Sequence, residues 1–178
     1  MITTRPKQLK KPLAEAWIKE QIRMRLDEVE VVYHQLPLTL ERARKASTRQ
    51  LWDPFLRTQA SALRSQRLIL SEIAEWWGIR TRPCFAGAVE DQLNEARFAM
   101  RARLSSPTLE DKINDVVKVL RIRVLLCLEE SIALAIRIKE DDLAQRLHSL
   151  MEEERSYMLV AQSSITPEGT PARHVPLS

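Results

Sequence analysis

Glycine is scarce in this chain, with three glycines among 178 residues. Sheets and tight turns depend on glycine, whereas long helices avoid it. Aromatic residues, which favour strands, make up only 5% of the sequence, while good helix formers are abundant. The sequence therefore predicts an all-α fold, and the length suits one domain with a single core.

The apolar residues recur at helical spacing in five stretches. The first is expected to begin near Pro12 and to kink or break at Pro37, since proline interrupts a helix interior. The second follows Thr48, an N-cap candidate, and ends at Gly78, where a glycine suits a helix C-cap. Thr108 is predicted to cap the fourth helix. The predicted helical stretches are 12–46, 49–77, 85–104, 109–139 and 141–163.

Short connections favour helices that pack as antiparallel neighbours. We therefore predict an antiparallel four-helix bundle with an additional N-terminal helical segment. Residues 1–11 are expected to form a flexible basic segment and 12–165 the bundle. Residues 166–178 contain three prolines and a glycine and are expected to be disordered.

The net charge of +4 comes from 28 basic and 24 acidic residues, which alternate over most of the chain. Alternating charge is typical of solvated helix faces, whereas nucleic-acid interfaces concentrate basic residues. The exception is the N-terminus, where four basic residues have no acidic neighbour. They predict either a solvated tail or a contact to an anionic partner such as nucleic acid or a membrane surface: Arg5, Lys7, Lys10 and Lys11.

The two cysteines, Cys84 and Cys127, have no metal-ligand spacing, and two thiols make no disulfide framework. We expect core or half-buried thiols in a reducing compartment. The N-terminus lacks the apolar stretch of a secretory signal. The most apolar region, 116–138, is interrupted by six charged residues, which excludes an ordinary membrane span. These features predict a cytoplasmic protein with no membrane partner.

Sequence motifs for catalysis or cofactor binding are missing. A di-iron bundle usually carries Glu-x-x-His on two helices, but the residues three places before His34, His148 and His174 are Val, Gln and Pro. Three scattered glycines cannot form a phosphate-binding loop. We expect no cofactor, no metal and no catalytic residues.

Two charged residues interrupt apolar stripes on successive helices. Arg121 lies among Val117, Val124 and Leu128, and Glu154 interrupts the stripe of the next helix. A hairpin would bring the two stripes together, and buried charges normally find partners. We expect an Arg121–Glu154 ion pair inside the bundle or at its edge, assisted by Glu153 or Arg123. Alternatives are side chains that reach solvent at the edge of the stripe, or a polar ligand site.

Two blocks of sequence resemble the YciE/YciF-type ferritin-like stress proteins of bacteria. The first is 63–78, which begins Leu-Arg-Ser-Gln and ends Trp-Gly, and Cys84 follows it where the family also has a cysteine. The second is 141–155, which begins Asp-Asp-Leu-Ala-Gln-Arg-Leu and ends Met-Glu-Glu-Glu-Arg. The resemblance implies a ferritin-like bundle and a connection with stress responses.

The metal ligands of that family are mostly replaced in this chain. The Glu-Glu of the second helix corresponds to Ser61 and Ala62, and the Glu-His-Tyr-Glu of the fourth helix corresponds to 121–124, Arg-Ile-Arg-Val. Glu153 and Glu154 remain in the last helix, and Glu90 or Glu95 could replace a third-helix ligand. The resemblance thus implies that an ion pair of Arg121 and Glu154, with Arg123 and Glu153 beside it, occupies the position of the family's metal.

The sequence as a whole favours a metal-free, non-enzymatic bundle with a structural or protein-interaction role, and we expect a homodimer formed through helix faces. An oxidoreductase is the first alternative, and it requires Glu90, Glu95, Glu153 and Glu154 to converge. An adaptor that binds nucleic acid or an anionic surface through its basic N-terminus is the second.

Overall fold

The computed structural model describes residues 11–47, 52–81, 87–102 and 104–165. These residues form five helices and, within the described ranges, no strand. The all-α prediction is confirmed. The predicted flexible ends lie outside the described residues, as do Cys84 and His174, except that Lys11 is described and is helical. The helices are α1 (Lys11–Ala46), α2 (Asp53–Trp76), α3 (Gly87–Arg101), α4 (Ser106–Arg137) and α5 (Asp141–Ile165).

Four long helices form the bundle. Helix α1 packs against α2 and α4, and α5 packs against the same two helices, so that the four close into a ring. The short α3 lies outside this ring and packs against α4 and α1. The additional helix is therefore α3, not the N-terminal segment that the sequence suggested. Helix α1 belongs to the bundle because its apolar stripe is buried from Ile18 to Ala43.

Pro37 does not break α1, which continues for 36 residues. A proline removes one backbone hydrogen bond and crowds the preceding turn, a cost of about 3 kcal/mol in a helix interior. Leu36 and Leu40, on either side of Pro37, are completely buried in the core. Their packing on the neighbouring helices offsets the cost of the proline, an effect that a local sequence pattern does not report.

The ends of the helices follow the predicted chemistry only in part. Gly78 has φ of +75° after the end of α2, and the Ile79 N–H donates to the Ala74 carbonyl, as a glycine C-cap requires. Helix α4 begins one turn earlier than predicted, with Ser105 as its N-cap. The Thr108 hydroxyl instead pairs with the Ser105 hydroxyl at 2.9 Å. None of the described helices is long and apolar enough to cross a membrane.

The turn between α4 and α5 contains a residue in the left-handed conformation. Lys139 has φ of 62°, and the Glu140 N–H donates to the Ala135 carbonyl. Glycine usually occupies this position after a helix, because a side chain raises the energy of the left-handed conformation by about 1 to 2 kcal/mol.

We expect Lys139→Gly to stabilise the protein. Removing the side chain relieves the left-handed backbone, and part of this gain is offset by the greater freedom of glycine in the unfolded chain. The expected increase in the free energy of unfolding is about 0.5 to 1 kcal/mol, measured by urea denaturation. Lys112→Gly, at an exposed position inside α4, is the control and should destabilise. A loss of stability in Lys139→Gly would contradict the prediction.

Candidate functional site

A group of polar side chains lies inside the four-helix ring, where apolar residues would be expected. We call it the central polar cluster. All its members are at most 2% exposed, and each of the four bundle helices contributes at least one: Tyr33 from α1, Gln59 and Gln66 from α2, Arg121 from α4 and Glu154 from α5.

Arg121 is the largest fully buried side chain of the described residues. Its Nη1 donates to Glu154 Oε1 at 2.6 Å, and its Nη2 donates to Gln59 Oε1 at 2.7 Å. The guanidinium carbon also lies 5.9 Å from the centre of the Tyr157 ring, within the range of a cation–π contact. The permanent positive charge of arginine is thus held by one carboxylate, one amide and one aromatic ring.

Glu154 receives two further polar neighbours. The Tyr33 hydroxyl donates to its Oε2 at 3.3 Å. Gln66 lies close enough to help stabilise the carboxylate charge, although neither atom of its amide makes a hydrogen bond of normal geometry. Gln66 is thus a polar neighbour of Glu154 without a hydrogen bond to it. Arg121 Nε also lacks a hydrogen-bond partner. Both carboxylate oxygens of Glu154 therefore accept hydrogen bonds, whereas Arg121 Nε and the Gln66 amide are left without one.

Burial changes the acidity of both groups that face Arg121. Desolvation raises the pKa of Glu154 above 4.5, and the charge and hydrogen bond of Arg121 oppose this rise only in part. Desolvation also raises the pKa of Tyr33 well above 10, and the Glu154 charge adds to the effect. Because a carboxyl whose pKa is raised by folding binds protons more tightly in the folded state, its ionisation lowers stability as pH rises.

The structure brings together only two of the four residues predicted to form the ion pair. Arg123 lies on the outer side of α4, and its Nε donates to Glu28 Oε1 of α1 at 2.5 Å. Glu153 is exposed. Neither residue assists the pair directly. Each step along a helix turns about 100°, so Glu153 points about 100° away from Glu154 and Arg123 about 200° away from Arg121. Arg121 and Glu154 face the core, so Arg123 and Glu153 face elsewhere.

The carboxylates that an oxidoreductase would need do not form a cluster. Glu90 accepts a hydrogen bond from Arg97 at 2.5 Å, and Glu95 is exposed on the same helix. No group of three or more His, Cys, Asp and Glu residues in the described part of the chain could hold a metal ion. His148 is exposed, and its Nδ1 lies 3.9 Å from Glu152.

Three members of the cluster were not predicted from the sequence, although α2 contains a clear signal. Gln59 and Gln66 lie in the same apolar series as Leu56, Leu63 and Leu70, with spacings of three and four residues. Two glutamines at core positions of one helix indicate a polar layer inside the bundle. Tyr33 gives no such signal, because a tyrosine in an apolar stripe is also compatible with an ordinary core.

Cys127 is a free, buried thiol. Desolvation raises its pKa to about 12, with a further contribution from the charge of Glu28. Because the thiolate is the reactive form, this cysteine is inert near neutral pH. It is a core residue, as the sequence suggested, and not a nucleophile.

The fold and the cluster together define the class as an all-α helical bundle with a charged pair in its interior. The stress protein YciF of E. coli has the same fold, with a TM-score of 0.70 and 13% identity over 83% of this chain and 96% of that chain. YcfI from Rhodopseudomonas palustris, described as a putative structural protein, also has this fold. Its TM-score is 0.72, and its identity is 13% over 90% of this chain and 98% of that chain. No family model and no curated protein matches the sequence. The fold implied by the sequence resemblance is confirmed.

Proposed function

We propose that this protein is a non-enzymatic, metal-free helical bundle that acts in the cytoplasm as a structural or interaction protein. The observation that carries the proposal is the Arg121–Glu154 pair at the centre of the bundle. The names of the two similar structures, a stress protein and a putative structural protein, agree with such a role and suggest a stress response as its setting.

The chemistry of the central polar cluster argues against a metal at this position. Metal centres in bundles of this class use several carboxylates and histidines that project inward from the four helices. Here the four helices supply one carboxylate, two amides, one phenol and one guanidinium. The Arg121 guanidinium repels cations and already binds the one carboxylate, Glu154. The charges of the cluster therefore neutralise each other, and no free ligand group remains for a metal.

Elemental analysis of the purified protein tests this part of the proposal. We expect no stoichiometric iron, manganese or zinc, even after the protein is incubated with these ions and desalted. A control variant, Arg121→Glu, places a second carboxylate beside Glu154 and should bind divalent cations more tightly than the unchanged chain. One or more tightly bound ions per unchanged chain would overturn the metal-free proposal.

The interaction role rests on an apolar strip on the outer face of α4, which we call the α4 stripe. It consists of Val119, Ile122 and Leu126, whose side chains are 45%, 48% and 48% exposed. The strip borders a groove of about 270 Å³ between α3 and α4. Three adjacent half-exposed aliphatic residues along one helix form a continuous apolar surface, which is typical of a protein contact.

We propose that a second copy of the chain covers the α4 stripe. An antiparallel two-fold contact with its axis on the outer face of α4, at the level of residue 124, would pack Ile122 of one copy on Leu126 of the other. The same register places Lys118 opposite Glu130 of the second copy. Both residues are exposed, and Glu130 already pairs with Arg25 of its own α1, so Lys118 would join an existing ion pair. Ile122 and Leu126 are therefore self-complementary in this register, as a two-fold interface requires.

Light scattering coupled to size exclusion tests the dimer, with an expected mass of twice 20.6 kDa. Ile122→Glu should give a monomer, whereas Leu68→Glu, which changes a 67% exposed leucine of α2, should stay dimeric. Lys118→Glu should weaken the dimer, and adding Glu130→Lys should restore it. A monomeric unchanged chain, or equal effects of the two glutamate substitutions at Ile122 and Leu68, would overturn the proposal.

The alternative of an adaptor that binds through its basic N-terminus concerns Arg5, Lys7, Lys10 and Lys11, of which only Lys11, the first residue of α1, is described. Deleting residues 1–11 tests that alternative. Salt-sensitive binding to nucleic acid or anionic vesicles that disappears with the deletion would support it.

A further inference from the structure

A second concave surface lies between α1 and α3, away from the α4 stripe. The cavity has a volume of about 510 Å³ and is lined by Arg42 of α1 and by Asn94, Arg97, Phe98 and Arg101 of α3. We call it the α1–α3 cavity. Its volume is within the range of small-molecule sites.

Hydrogen bonds inside the lining leave the α1–α3 cavity rich in donors. Arg97 Nη1 donates to Asn94 Oδ1 at 2.9 Å and to Glu90 Oε1 at 2.5 Å. These bonds occupy two oxygen acceptors of the neighbourhood and leave the amide nitrogen of Asn94 as a donor. The groups available to a ligand are therefore mainly N–H donors, which suit an anion.

The charges of the residues that line the cavity also favour an anionic ligand. Glu90 neutralises Arg97, whereas Arg42 and Arg101 are exposed and make no ion pair with any residue that the structure describes. Among the residues that the structure describes, Arg42 and Arg101 therefore give the α1–α3 cavity two positive charges without an ion-pair partner. Two guanidinium groups that can each bind two oxygens suit a phosphate dianion better than a monovalent carboxylate.

Phe98 adds an aromatic surface to this cationic site. Its side chain is 73% exposed, the highest value among the large exposed hydrophobic residues of the described chain. An exposed phenylalanine beside two arginines offers a planar apolar face next to a phosphate site. Stacking on such a face is a common way to bind a nucleobase.

We propose that the α1–α3 cavity binds a nucleoside phosphate, with Arg42 and Arg101 on the phosphate and Phe98 against the base. This inference is independent of the dimer, because it uses a different surface. Arginine near the end of α3 also suits the negative end of the helix dipole, so the experiment must separate a ligand site from an ordinary solvated surface.

Isothermal titration of the full chain with AMP, adenosine and inorganic phosphate provides this separation. We expect saturable binding of AMP, at least tenfold tighter than that of phosphate or adenosine. Arg42→Gln and Arg101→Gln should each weaken AMP binding at least tenfold, and Phe98→Ala should reduce it to the level of phosphate. Circular dichroism should show that the three variants keep the helical fold, since all three positions are exposed.

Arg137→Gln is the matched control, because Arg137 is an exposed arginine in the last turn of α4 that lies outside the cavity and, like Arg101, makes no ion pair with any residue that the structure describes. It should leave AMP binding unchanged. An equal loss in this variant would show general electrostatic attraction and overturn the site. Absence of saturable AMP binding at millimolar concentration would overturn it too, and binding of single-stranded oligonucleotides without AMP binding would replace it with a nucleic-acid surface.

Discussion

Arg121→Met is expected to lower the free energy of unfolding by about 3 to 5 kcal/mol, because it leaves Glu154 buried without its counter-charge. Glu154→Leu should cost a similar amount, since it leaves the Arg121 cation without a carboxylate. Either loss is a large part of the total stability of an ordinary domain, about 5 to 15 kcal/mol. Urea denaturation followed by circular dichroism measures both.

The double variant Arg121→Met/Glu154→Leu distinguishes a buried pair from two independent core contacts. Replacing both charges with apolar groups of similar size removes the desolvation cost of each, so we expect the double variant to be at least about 2 kcal/mol more stable than either single variant. Full recovery is not expected, because Gln59 and Tyr33 lose their charged partners. Additive losses from the two substitutions would contradict the pairing seen in the structure.

The second large effect concerns pH. In the unchanged chain the pKa of Glu154 is already raised above 4.5, because desolvation exceeds the opposing effect of Arg121. Arg121→Met removes that opposing charge and hydrogen bond, so the pKa rises further. The folded state then holds a proton that the unfolded state releases, and stability falls as pH rises, by up to about 1.4 kcal/mol per pH unit.

This slope should begin near the pKa of the unfolded carboxyl, 4.5, and continue to the raised pKa of the folded state. Denaturation of Arg121→Met at intervals from about pH 5 to about pH 8 measures it. Arg121→Met/Glu154→Gln is the matched control, since it has no carboxyl to titrate at this position and should lose the extra slope. An equal slope in both variants would assign the effect to another group.

The sequence predicted the fold class and both ends of the buried pair for reasons that are visible locally. Glycine scarcity disfavours the tight turns of sheets, and a charge within an apolar stripe marks a core position that needs a partner. Arg121 and Glu154 both follow from this rule. The hairpin between their helices follows from the short connection at Lys139.

The parts that the sequence did not predict depend on packing between distant segments. Whether Pro37 breaks α1 depends on packing against other helices, whose residues lie far from residue 37 in the sequence. The exclusion of α3 from the bundle depends on which helices close the ring. Arg123 is close to Arg121 along the chain, but its partner Glu28 is 95 residues away, on α1.

The convergence of all four bundle helices on one ion pair has a consequence for the order of folding. Arg121 and Glu154 belong to consecutive helices, 33 residues apart, so the α4–α5 hairpin can join them early. Gln59 and Tyr33 come from earlier segments, 62 and 121 residues away from their partners. Until α1 and α2 dock, the pair remains open to water, where ionised groups are most stable. Desolvation of the pair is therefore unfavourable in the isolated hairpin, and water should be excluded only when all four bundle helices assemble.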